Sequence, residues 1–236
     1  MRDLWHQIEA LDNKVPALLQ STMLVECGRL IEREAVWFLR EGSQPLKIES
    51  LIGEYGTGVG TITDKIYSFL SAADRELLDQ RAEAYQSQGA PSGLARSIAG
   101  LQLLAPACEI VRIAAEAKLP VERVAEIYFR VGERFGFDWL RRAAGQLSTD
   151  TAWDKQAVTA IVDDFFGHQG DLTTHIINDK ASQKAGVEEV IEYWAETRRP
   201  QIARTAQLIV ELKSAGTPDF AMLAVANRQV KSMVAG

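Results

Sequence analysis

Asp164, His168, Asp171 and His175 are the residues whose types and spacing come closest to chemistry. Their steps of four, three and four set them along one face of a helix. Carboxylate and imidazole suit a borderline metal ion, and two histidines on nearby turns can share one. The set spans about 16 Å of helix axis at ~1.5 Å per residue. All four cannot reach a single ion, so a metal here needs ligands from another helix. The other reading is a solvated face with local Asp–His pairs. The balance favours no metal, with His168 and His175 as the residues to inspect for one.

Other constellations are weaker. Gly56-Thr57-Gly58-Val59-Gly60 invites a phosphate-loop reading. A dinucleotide loop needs a buried strand before it, so that the turn aims a helix N-terminus at the phosphates. Here a short helical segment is expected instead, and no P-loop Gly-Lys-Ser/Thr follows. An interhelical loop is the expectation, with no cofactor-binding residues. Asp163-Asp164 in helical text resembles the aspartate-rich motif of isoprenoid synthases, but Gly167 stands where its third carboxylate belongs. Neither Cys27 nor Cys108 has a histidine or a basic cluster nearby in sequence to activate it, and no Gly-x-Ser-x-Gly elbow exists. No catalytic residue is assigned.

The elements that would carry these residues read as almost all helix. Ala17–Arg40, Pro45–Gly53, Thr61–Ser71, Asp74–Gln86, Leu94–Lys118, Trp153–Ala181 and Val187–Ser214 carry helical periodicity. Glu41–Pro45 and Gln88–Ser92 are breaks. Pro106 should force a kink or restart near Leu104–Ala105, and Pro200 should bend the Val187–Ser214 helix. Ser148-Thr149-Asp150 is a cluster of N-cap types before Trp153. Thr217 and Pro218 should open the last helix, as N-cap and first residue. Strand signals are nearly absent. The expected fold is an all-α, multi-helix bundle without significant β-sheet. It is read as a single domain over 1–236, with two lobes, 1–87 and 93–236, as the alternative division.

Composition narrows the function class. The chain has 236 residues, 47% hydrophobic and 25% charged, as in ordinary globular protein. A net charge of -6 argues against general nucleic-acid binding. The densest basic patch, Arg198, Arg199 and Arg204, is too small for it. Arg141 and Arg142 read as charges near a helix C-terminus. The cysteines read as buried thiols in a reducing cytoplasm. No leader is visible, and no membrane span is expected. The five tryptophans are expected as core or interface anchors.

The most distinctive text is Pro120–Ala144, PVERVAEIYFRVGERFGFDWLRRAA. Val121, Val124, Ala125, Tyr128, Val131, Gly132 and Phe135 form one apolar stripe. Pro120 suits the first helical position, Gly136 a left-handed stop, and Asp138 the cap of the next helix. Together with ALDNKVPALLQ (Ala10–Gln20), DDFFGHQGDLTTHI (Asp163–Ile176) and DFAMLAVANRQVKSM (Asp219–Met233), this text resembles the extreme C-terminal region of the large bacterial NAD-specific glutamate dehydrogenases. The resemblance covers nearly the whole chain. It implies a parent oxidoreductase of amino-acid catabolism that converts L-glutamate, NAD and water to 2-oxoglutarate, ammonia and NADH. NAD would be the parent's cofactor, with none bound by this piece. The implied partners are the catalytic portion of the same polypeptide and further copies of the parent as a homo-oligomer, with neither nucleic acid nor membrane. The resemblance carries over no catalytic residue and no metal. The competing reading is a free-standing helical module that binds a partner helix. A reading frame continuing upstream through a nucleotide-binding fold separates the two.

Overall fold

A computed structural model describes residues 2–11, 14–28, 58, 62, 65–179, 185–197 and 199–235. No strand occurs among the described residues, and the fold is all-α. The helices are α1 (Arg2–Ala10), α2 (Ala72–Ser87), α3 (Ser92–Gly100), α4 (Leu104–Ala117), α5 (Val121–Arg134), α6 (Phe137–Gly145), α7 (Ala152–Asn178), α8 (Val187–Thr197), α9 (Arg199–Ser214) and α10 (Phe220–Ala235). Residues 17–28 are helical as well. The remainder of the helix expected to Arg40, the Glu41–Pro45 break, the Pro45–Gly53 helix and the glycine cluster lie outside the described residues. Gly58, in helical conformation, is the exception within that cluster.

The chain forms two compact units, Met1–Cys108 and Glu109–Gly236. In the first, α3 packs against α1 and α2. Its core gathers Val15, Leu19, Leu94, Ala95, Ile98 and Leu104, with Leu11 and Tyr85 against them. The ALDNKVPALLQ text thus supplies Leu11, Val15 and Leu19 to one hydrophobic cluster. The Gln88–Ser92 break is the turn between α2 and α3, with Gly89 at φ +96°. Ser71 caps α2 by accepting the Asp74 N–H at 3.2 Å. Pro106 occupies the third position of α4, where a missing N–H breaks no helical bond. A 3-10 turn over Leu101–Leu103 precedes that restart. Ser92–Ala117 is long and apolar enough by composition alone to cross a membrane, yet 61% of its apolar window is buried within the protein. A core helix reads that way. Cys108 is buried and Cys27 half-buried, and neither is in a disulfide.

The second unit is built around α7, which packs against α5, α6, α8 and α10. Ile161, Phe165, Leu172 and Ile176 bury along it at helical spacing. Each such side chain contributes ~1.5–3 kcal/mol. An exposed ion pair contributes ~0–1 kcal/mol, so each of these side chains outweighs a surface ion pair. On α5 the buried face is wider than the expected stripe, because Ile127 and Phe129 join it. The helix has neighbours in α6, α7 and α8, and one narrow stripe cannot serve all of them.

Several local expectations shift by a residue or two. Pro120 is the N-cap of α5 rather than its first residue. Thr151, not the Ser148–Asp150 cluster, caps α7, because Asp154 three residues on closes a capping box with it. Asp219 opens α10 by accepting the Met222 N–H at 2.8 Å, which displaces Thr217 and Pro218 from those roles. A carboxylate is the stronger acceptor for free helix N–H groups.

Candidate functional site

The sequence places its best polar candidates on α7, and the structure separates them. His175 and Asp171 are exposed. Asp164 accepts a hydrogen bond from Asn227 Nδ2 of α10 at 2.6 Å. His168 is half-buried, and its Nε2 is buried without a hydrogen-bond partner among the described residues. No group of three or more His, Cys, Asp or Glu among the described residues could hold a metal ion.

The polar residues that do converge come from other positions. Gly136 ends α5 in the left-handed region at φ +79° and serves as N-cap of α6. Asp138 therefore sits inside α6 rather than capping it. It is 6% exposed and forms an ion pair with Arg141. Arg141 is not a solvated helix-end charge either. Its guanidinium donates to Asp138 Oδ1 and to Gln169 Oε1, and its Cζ lies 4.5 Å from the centre of the Phe166 ring. Gln169 is completely buried, and its Nε2 donates to the Tyr128 carbonyl at 2.7 Å. Three helices are joined in this knot.

Gly132 makes room for it. A Cβ there would stand 2.5 Å from Asp138 Oδ1 and 2.8 Å from Gln169 Nε2. A second cradle lies one residue beyond Gln169. A Cβ on Gly170 would collide with the Glu109 carboxylate, which Arg112 holds in an ion pair. Sequence reasoning missed Gln169 altogether. Its signal was a glutamine inside the apolar rhythm Ile161, Phe165, Leu172, Ile176. The knot runs inward: Arg141 and Gln169 donate, and Asp138, Gln169 Oε1 and the Tyr128 carbonyl accept. That arrangement ties α5, α6 and α7 together.

Each unit carries a concavity among its described residues. One, of about 210 Å³, is lined by Trp139, Arg142, Gln146, Lys213 and the Gly216–Pro218 turn. Lys213 Nζ sits 5.4 Å from the Trp139 ring centre there. The other is an open hollow along α2, lined by Arg75, Glu76, Asp79 and Glu83. Neither brings a nucleophile to a base.

Comparison with known proteins follows the same texts. The family described as glutamate dehydrogenase, C-terminal, matches residues 1–232. An NAD-specific glutamate dehydrogenase of Pseudomonas aeruginosa is 30% identical over 239 residues, covering 99% of this chain and 15% of that protein. One from Halomonas elongata is 28% identical, covering 96% of the chain and 14% of the relative. One from Mycobacterium tuberculosis is 27% identical, covering 98% and 14%. The chain thus spans about one-seventh of the length of these relatives. Gly132, Asp138, Arg141 and Gln169, which tie the second unit together, all lie within the matched span, and this chain belongs to the glutamate dehydrogenase C-terminal family.

Proposed function

We propose that this chain is one helical domain of a much longer NAD-specific glutamate dehydrogenase, and that it braces the catalytic portion without taking part in the chemistry. In the parent, glutamate would be oxidised to 2-oxoglutarate and ammonia as NAD accepts the hydride. The hydride acceptor and the amino-acid pocket would reside in the remaining polypeptide. The parent is proposed to work as a cytoplasmic homo-oligomer. The observation that carries the bracing role is the inward knot of Asp138, Arg141 and Gln169. Asp138 and Arg141 of the most distinctive text, with Gln169, join α5, α6 and α7.

The test compares the parent enzyme with and without residues 1–236, reading glutamate-dependent NADH formation and subunit size. Loss of activity together with altered assembly on deletion is the expected result. An isolated chain that reduces NAD with glutamate would overturn the proposal.

A further inference from the structure

The first turns of α7 are built outward from the bundle. Thr151 accepts the Asp154 N–H at 3.1 Å, and Asp154 accepts the Thr151 N–H at 2.8 Å. This reciprocal pair satisfies free donors at the helix start and holds those turns in shape. Yet from Ala152 to Ala160 no residue is buried, and Ile161 is the first side chain of α7 in the core. Trp153 lies in this stretch with 79% of its surface exposed, the most exposed of the large hydrophobic side chains among the described residues. Ala157 and Ala160 follow it at steps of four and three, so the indole stands at the end of a low apolar strip. A rigid aromatic beside small residues, on a preformed helix end, is the composition of an interface anchor. It contributes little to its own fold, because its area stays in water.

We infer that Trp153 and the strip behind it are the surface by which this domain docks onto the rest of the parent polypeptide. The occupant is an apolar socket sized for an indole, rimmed by an acceptor for its Nε1–H. This inference rests on the bracing role proposed above. The relatives argue for an occupant within the same polypeptide, since about 85% of their length lies outside the matched span. An indole buries ~150–250 Å², enough to make it the central contact of a docking face.

The experiment measures iodide quenching of Trp153, taken as the difference between wild type and Trp153→Phe. It is run on the 236-residue chain and on the full-length parent. A change at so exposed a position leaves stability nearly unchanged, so both forms fold. Docking should lower the quenching of Trp153 by about fivefold or more in the parent relative to the isolated chain. Equal quenching in the two would overturn the inference. Protection that appears in the isolated chain as its concentration rises would also overturn it, by making a second copy the occupant. If deletion of the domain disables the parent while Trp153 stays open to iodide, the bracing role stands and this docking face falls.

Discussion

Gly132→Ala adds one methyl group at the centre of the polar knot. The new carbon would stand 2.5 Å from Asp138 Oδ1 and 2.8 Å from Gln169 Nε2, far inside the ~3.5 Å at which nonbonded heavy atoms pack. Neither neighbour yields easily. Asp138 has a short side chain tied to Arg141, and Gln169 is bonded on both sides. Overpacking costs ~1–3 kcal/mol. Loosening a hydrogen bond to a charged group costs ~1.5–3 kcal/mol more. Against this, alanine gains ~1 kcal/mol over glycine inside a helix. The net destabilisation is about 1.5–5 kcal/mol. At ~3 °C per kcal/mol for a chain of this size, Tm falls by roughly 5–15 °C. Gly167→Ala is the matched control. It is the same substitution inside α7, with nothing within 4 Å of the new carbon. It should raise stability by about 0.5–1 kcal/mol. Thermal unfolding followed by circular dichroism reads both. If Gly132→Ala melts at or above wild type, or the two variants shift in the same direction, the cradle argument fails.

Three further outcomes are expected. Gly136→Val meets both the left-handed backbone at φ +79° and Ile209 Cδ1 at 2.5 Å, and should lower stability in urea unfolding by ~2 kcal/mol or more; a neutral result would remove the turn's requirement for glycine. Arg141→Met strips the buried Asp138 carboxylate of its charge partner and should cost ~3–5 kcal/mol, partly recovered in the Asp138→Asn, Arg141→Met double variant; strict additivity in that cycle would deny the coupling. Arg134 donates to Glu192 at 2.7 and 3.0 Å and, chiefly through that hydrogen bonding, holds its carboxyl below the ordinary 4.5. A depressed carboxyl stabilises the fold above the unfolded value and loses that contribution as pH falls through the folded one. Amide exchange in α8, corrected for intrinsic rate, should therefore rise below about pH 4.5 in wild type and less in Glu192→Gln, by a small margin because the pair is exposed.

Local chemistry made much of the fold legible before the structure. Gly136 and Pro106 mark their breaks because each acts within one turn of chain. Caps slipped where several candidates compete. Ser148, Thr149, Asp150 and Thr151 are all competent, and only the partner at Asp154 selects the last. The knot was hidden for a different reason. Asp138 and Arg141 look like helix-end residues until Gln169, nearly thirty residues on, is brought beside them. That meeting depends on how α5, α6 and α7 pack, which periodicity alone does not specify. Two clues were present: a glycine inside the last turn of α5, where alanine is the better helix former, and an amide on an otherwise apolar stripe. The histidine pair shows a limit of spacing as a signal. Helical spacing aligned His168 with His175, but nothing in spacing says whether another helix will bring ligands to them.

Gly170 and Glu109 form a fitted pair of volumes, one residue giving up its side chain so that the other can lie across the helix. A side chain at 170 requires the Glu109 carboxylate to swing out of its ion pair with Arg112 or to be trimmed. Sequence drift at these two sites should therefore proceed in compensated steps, and chimaeras that exchange α7 between distant relatives should fold only when the Glu109 segment travels with it.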